Sequence, residues 1–286
     1  MTAGELLRAL GQAFGDLETW WPADGPFEVA VGALLVQAVT WRQAAQAVQA
    51  LAARGLLAPQ TLAAARHDDV ASAIRPALFH QQKARYLIRF AQFTASDLAG
   101  DLGSLRRYPL AEQERMLLAL PGVGPETAAA IMVYALGEAV AVVDAYAMRI
   151  LARVGAVAPG APRPTAKAAM AGAIAGRPEG ARLLHAGIVE LGRLHCRPDP
   201  LCATCPLEAF CPKILGYPVD GRSDRPASDA GRAAAGREAG DAGRGRLAAA
   251  QGGRSEGTRP VGQGRRGGLG QPQRQGERPG RGHRGT

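Results

Sequence analysis

Lysine is almost missing from this chain. Only Lys83, Lys167 and Lys213 occur in 286 residues, so arginine carries nearly all the positive charge. Aromatic residues are also scarce, at 5%. Cysteine occurs four times, always between residues 196 and 211, which excludes a disulfide framework spread over the fold. No apolar run approaches the roughly 20 residues that cross a bilayer, so no membrane partner is expected. No segment alternates apolar and polar residues between turn signals, and no internal repeat is visible. What remains is rich in alanine and leucine, with apolar residues spaced at helical intervals. The expected class is all-α.

The opening MTAGELLRALGQAF carries Glu5 in an amphipathic pattern, which reads as a first helix and not as a secretion signal. Together with unpaired thiols, this places the expected location in the cytoplasm, with the nucleoid. Further helices are expected from Pro26 through FEVAVGALLVQAV, over WRQAAQAVQALAAR, HQQKARYLIRFAQFTA, LAEQERMLLAL, PETAAAIMVYAL and DAYAMRILARV, and finally over ARLLHAGIVELGRLH. Residues 1–217 form the expected folded part. Residues 218–286 do not: from 221 onward there are 14 arginines against 6 acids and no Phe, Tyr or Trp. A segment with so little to bury is expected to be disordered. It carries +8 of the net charge of +9, so the pI of 10.0 says little about the folded part. The tail reads either as an electrostatic arm for phosphates or as a solvated segment with no specific task.

Between two helical patterns lies Leu120-Pro121-Gly122-Val123-Gly124-Pro125. Pro121 ends one helix, and the glycines permit positive φ and close backbone approach. Pro125 fits the first position of the next helix. Amides of Gly122, Val123 and Gly124 at a helix N-terminus favour a phosphate, through backbone contacts that position DNA without reading its sequence. Alone, the segment is equally an ordinary tight turn. It is followed, however, by the apolar run AVAVV ending in Asp144, which precedes the helix AYAMRIL and suits an N-cap. The cysteines, Cys196, Cys202, Cys205 and Cys211, are spaced C-x5-C-x2-C-x5-C. Four thiolates in so short a stretch argue for metal. All-cysteine zinc sites usually show two close pairs, and only one is present here.

Hairpin, aspartate and cysteine loop in this order resemble the endonuclease III-like family of helix–hairpin–helix DNA glycosylases, over nearly all of residues 1–217. The resemblance implies two helical lobes with a cleft between them, a monomer, and double-stranded DNA containing a damaged base as partner. It implies that Asp144 stabilises positive charge developing on the sugar, a task for which a carboxylate is suited. It implies a [4Fe–4S] cluster on the four cysteines, although the first spacer is one residue shorter than the commonest form. Arg193 and Arg197 would meet phosphates beside that loop, while His195 reads as a helix cap.

Family members that also cut the strand use a lysine on the helix after the hairpin. Its position here is Glu126, 18 residues before Asp144, as in the family interval. No imine can form on a carboxylate, so a monofunctional glycosylase is expected; Glu126 also reads simply as an acid in a first helical turn. Trp20-Trp21-Pro22, Gln37 and Trp41 resemble the 3-methyladenine glycosylase III-like branch. There, rings stack on the extruded base, and a cationic alkylpurine suits an indole face. The tryptophans read equally as core. Gln37 matches the residue that fills the gap left by the flipped base, or is a satisfied buried amide. An enzyme acting on alkylated purines is therefore expected; the alternatives are one acting on oxidised pyrimidines, and a lesion-binding protein without turnover, against which Asp144 argues.

Overall fold

The computed structural model describes residues 1–15, 17 and 20–215, all helix and loop with no strand among them. The arginine-rich stretch over 218–286 lies outside the described residues. The helices are α1 (Ala3–Phe14), α2 (Pro26–Leu35), α3 (Trp41–Ala52), α4 (Pro59–Ala63), α5 (His67–Ala73) and α6 (His80–Ser96), then a 3-10 turn over Leu102–Arg107. They continue with α7 (Leu110–Leu118), α8 (Pro125–Ala130), α9 (Ala145–Arg153), α10 (Arg163–Ile174) and α11 (Pro178–Leu194). None is long and apolar enough to cross a membrane.

Local signals set many of the ends. Thr2 and Thr40 each close a capping box, with Glu5 and Gln43 respectively. Such caps are worth about 1 kcal/mol each. Proline stands in the first turn of α2, α4, α8, α10 and α11, where its missing N–H costs nothing.

Two apolar cores divide the helices between two lobes. The first lies inside α2 to α8 and is centred on α2, which buries Val29 through Leu35. The second gathers α9, α10 and α11, and α1 joins it from the other end of the chain through Leu6, Leu7 and Leu10. The Met1 ammonium donates to the Val154 carbonyl at 3.0 Å, which fastens that crossing. Because α1 belongs to one lobe and α2 to the other, the segment joining them must run between the lobes, and it carries Trp20 and Trp21. Tyr134 and Val140 pack against both cores.

The expected single helix over PETAAAIMVYAL is not uniform. After Ala130 it widens into a π turn over Ile131–Ala135, which carries Tyr134 between the lobes. Such turns are often found at functional sites. α4, α5, α10 and the 3-10 turn were not announced by periodicity.

Candidate functional site

The hairpin is built as its composition requires, with one correction. Gly122 sits at φ 83°, and a Cβ there would lie 2.2 Å from the Tyr86 ring, so only glycine lets the hairpin lie against α6. Gly124 is extended at φ −89° and uses no positive φ; it is the N-cap of α8. The Val123 amide is also not free, since it donates to the Leu120 carbonyl at 3.1 Å. The amides of Gly122 and Gly124 have no acceptor among the described residues and are the ones open to an anion.

Gln37 follows α2 and reaches the hairpin directly. Its amide Nε2 donates to the Gly122 carbonyl and to Thr127 Oγ1, both at 2.9 Å. This is the satisfied-amide arrangement, at the edge of the hairpin. Behind it, buried Lys83 donates to the carbonyls of Leu35 at 2.8 Å and Gln37 at 2.6 Å. Burial pushes the Lys83 ammonium down to about 8.

Asp144 caps α9, its Oδ1 accepting from the Ala147 amide at 2.6 Å, and the residue is only 7% exposed. Its other oxygen faces His185 Nε2 at 3.7 Å. His185 is equally buried, and its Nδ1 lies 2.7 Å from the Tyr134 hydroxyl. With that hydroxyl donating to Nδ1, the ring proton resides on Nε2 and points at the carboxylate. Burial pushes the Tyr134 phenol upward, and the Asp144 charge adds to this, so it stays a donor.

The aromatic rings cluster over this pair. Trp20 lies 5.8 Å from Tyr134 and 5.9 Å from His185, centroid to centroid. Trp21 lies 5.1 Å from both Tyr134 and Trp41. Trp20 and Trp21 are half-buried, Trp21 packing against the first core, and Trp41 is exposed. Trp20 Nε1 donates to Glu190 at 2.8 Å, which fixes the ring. Glu190 also binds Arg193 at 2.7 Å, so Arg193 is committed to an ion pair; exposed Arg197 donates to the Arg193 carbonyl.

Glu126, in the first turn of α8, shows 47% of its side chain to solvent. Desolvation by the surrounding helices pushes its carboxyl up, and the Asp144 charge pushes it further; Arg163 and His185 act in the opposite direction. Arg163, 3.9 Å from Glu126, donates to the carbonyl of Val143, the residue before Asp144.

The four cysteines all remain free thiols, and three of them pack against the second core. Burial raises the Cys205 thiol, the Leu207 amide lowers it, and the charges of Cys196, Cys211 and Cys202 raise it further. Buried Arg153 holds the loop to α9 by donating to Cys196 Sγ at 3.5 Å and to the carbonyls of Arg197 and Pro198. No three Cys, His, Asp or Glu side chains gather as ligands of one ion among the described residues. Around a tetrahedral zinc, thiolate sulfurs stand about 3.8 Å apart. His195 caps α11, its amide donating to the Leu191 carbonyl.

The sequence therefore indicated Asp144, Glu126, the tryptophans, Gln37 and the hairpin; in the structure Gln37 meets the hairpin, Asp144 lies beside His185, and Trp20 and Trp21 gather at Tyr134 with Trp41 against Trp21. Tyr134, His185, Glu190 and Arg163 were not foreseen, since no local motif marks them. Solved structures share this architecture. A trapped endonuclease III–DNA covalent intermediate aligns with a TM-score of 0.63 at 21% identity, over 74% of this chain and 97% of that one. A 3-methyladenine DNA glycosylase of Helicobacter pylori, bound to 1,N6-ethenoadenine, aligns at 0.57 and 22%, over 68% and 98%. Among relatives by sequence, a candidate DNA repair glycosylase of Methanocaldococcus jannaschii is 32% identical, over 68% of this chain and 89% of that one. A thymine-DNA glycosylase of Aeropyrum pernix is 30% identical, over 70% and 88%. Residues 31–173 match the HhH-GPD superfamily of base excision DNA repair proteins, and with these relatives the chain belongs to that family of DNA glycosylases.

Proposed function

We propose that this glycosylase is monofunctional and removes alkylated purines. The observation that carries the reading is the chemistry of the first turn of α8, where Glu126 presents a carboxylate and no amine to the cleft. All three lysines are committed elsewhere: Lys83 to two carbonyls, Lys167 to Glu114 and Lys213 to Glu208. Without a nucleophilic amine, the enzyme releases the base by hydrolysis and leaves the strand intact.

The ring cluster argues for a cationic base. Trp20, Trp21 and Trp41 offer indole faces, and such faces attract positive charge. An alkylated purine carries its own positive charge, so it leaves without strong protonation. The chain's residues then have three tasks. The Gly122 and Gly124 amides hold a phosphate, the rings hold the base, and Asp144 opposes the charge that develops on the sugar.

A [4Fe–4S] cluster is the group that the donor set fits. Four thiols within one short loop, three of them packed against the second core, suit such a cluster, held by Cys196, Cys202, Cys205 and Cys211. Its role in this reading is structural, since it would order the loop that Arg153 ties to α9.

The test is a panel of single-lesion duplexes given to the iron-loaded protein, scored for base release and for trapping by borohydride. Release of alkylated purine with no trapped adduct is expected. A second reading, removal of mismatched thymine, is favoured by the 30% identity to the Aeropyrum pernix thymine-DNA glycosylase. Release of thymine from a G·T pair, but of no alkylpurine, would select it. Release of thymine glycol alone would select an oxidised-pyrimidine enzyme, and efficient trapping would overturn monofunctionality.

A further inference from the structure

We propose that Glu126 is a second catalytic carboxylate, which holds the attacking water and takes its proton. The inference rests on the glycosylase activity and deepens the hydrolytic reading above.

It begins from a division of labour between two acids at one cleft. One oxygen of Asp144 accepts from the Ala147 amide, and the other stands 3.7 Å from His185 Nε2, beyond hydrogen-bond distance. The residue is 7% exposed, so little room remains for a water to approach it along a lone pair. Such a carboxylate is well held as a fixed negative charge and poorly placed to accept a proton. Glu126 is its complement. Its side chain is about half open, and its ionic partner among the described residues is Arg163 at 3.9 Å, longer than a hydrogen bond. The charged and titratable groups facing it are Asp144 on α9, Arg163 on α10 and His185 on α11.

The surroundings also shift Glu126 in the direction that favours the task. Desolvation and the Asp144 charge both push its carboxyl upward, toward the range where a carboxylate accepts a proton readily. Arg163 acts against that rise. The same guanidinium holds the Val143 carbonyl, so it sets Glu126 against the backbone that carries Asp144. The hairpin adds placement. The Gly122 and Gly124 amides that receive a phosphate lie only a few residues before Glu126, in the same turn of chain, so a strand seated there brings its sugar past this carboxylate.

The step balances. As the C1′–N bond breaks, its electron pair leaves with the cationic base, which departs neutral. The water oxygen bonds to C1′ while Asp144 opposes the sugar's positive charge. The water proton passes to a Glu126 oxygen, and later to solvent through the open side of the cleft. The sugar is left with a hydroxyl at C1′. Paired carboxylates perform the related hydrolysis of glycosides.

The experiment compares the iron-loaded unmodified protein with Glu126→Gln and Glu126→Asp. The substrate is a duplex carrying 3-methyladenine, whose base is cationic as the step requires, in single turnovers at saturating protein, from about pH 5 to 8. General-base assistance is worth about 10²- to 10⁴-fold. The unmodified rate should rise with pH along an acid limb set by Glu126. Glu126→Gln should lose about 100-fold or more and lose that limb, and Glu126→Asp should recover part of both. Affinity for a duplex with a tetrahydrofuran abasic analogue should stay within a fewfold in both variants. A wild-type rate or an unchanged acid limb in Glu126→Gln overturns the proposal. So does a defect confined to binding. If the unmodified protein releases no 3-methyladenine, the alkylpurine reading has failed and not this one; the same comparison then decides it on a G·T duplex.

Discussion

Asp144 and His185 stand 3.7 Å apart, carboxylate to ring nitrogen, both buried where α9 and α11 meet. They are 41 residues apart in sequence, and the histidine is turned by Tyr134 on the other side. The pair explains how a buried carboxylate can remain aimed into the cleft. One oxygen belongs to the helix cap, and the other lies 3.7 Å from a ring that is itself held by Tyr134. Asp144→Asn tests what the charge does. Asparagine caps helices as well as aspartate, so α9 should survive and stability should change by less than about 1 kcal/mol. Single-turnover base release should fall by at least about 10²-fold, because a preorganised charge aimed at a developing cation is lost. Binding to abasic-analogue DNA should persist. Retention of near-normal release would remove Asp144 from the chemistry.

Lys83 makes a different prediction, about stability and pH. Its ammonium holds the C-terminal end of α2 and the Gln37 backbone together. Lys83→Met leaves the Leu35 and Gln37 carbonyls without this donor, which costs on the order of 1–3 kcal/mol per orphaned group, less the relief of burying no charge. The sign of the pH effect follows from burial. The folded value, about 8, lies below the usual lysine value, so between them the unfolded chain binds the extra proton. Stability from this group therefore rises as pH climbs from about 8 toward 10.4, by on the order of 3 kcal/mol at most. Denaturant melts of both proteins across that range check it: the rise should be smaller in the variant, and equal slopes would sink the assignment.

These residues also mark where the sequence was legible and where it was not. α1, α3, α6, α9 and α11 announce themselves because nine or more residues repeat an apolar face. α4 and α5 span five and seven residues, too few for a period to register. Asp144 and Gly122 were readable because their tasks are local: a cap and a positive φ. His185 and Tyr134 were not, since nothing in GARLLHAGIVELGRLH or AAIMVYAL tells one that the other lies 2.7 Å away. The π turn that delivers Tyr134 is likewise a tertiary outcome. The tryptophans fell between these cases. Their number was plain, but that Trp20 and Trp21 meet at Tyr134 follows only from the crossing of α1 to the second lobe.

The cysteine loop yields a compositional prediction. Protein isolated with its cofactor should be yellow-brown and contain about four irons per chain, as a single [4Fe–4S] cluster requires. Cys202→Ser should lose colour and iron, and the loop that Arg153 fastens to α9 should become sensitive to protease. Metal analysis that finds one zinc and no iron would refute the assignment.

Glu126→Lys is the most demanding variant, because it asks for a new activity and not a lost one. The unmodified chain should give no borohydride-trapped adduct, since no amine reaches the sugar. A lysine at position 126 extends from the same first turn of α8 into the same opening. There it meets Arg163 and His185, and a neighbouring cation favours the neutral, nucleophilic amine. Asp144 pulls the other way and holds part of the population as ammonium. The two effects predict a lyase whose rate climbs with pH as the amine is freed. Attack at C1′ would expel the base and form an imine, which borohydride reduces to a stable protein–DNA link. Trapping by Glu126→Lys but not by Glu126→Asp or the unmodified protein is the expected result, read as a shifted band on a denaturing gel. The same variant should lose hydrolytic release that leaves the strand whole. If Glu126→Lys folds, binds abasic-analogue DNA and still gives no adduct at any pH up to about 9, the first turn of α8 does not reach the sugar. Both the monofunctional argument from Glu126 and its role as base would then need another residue.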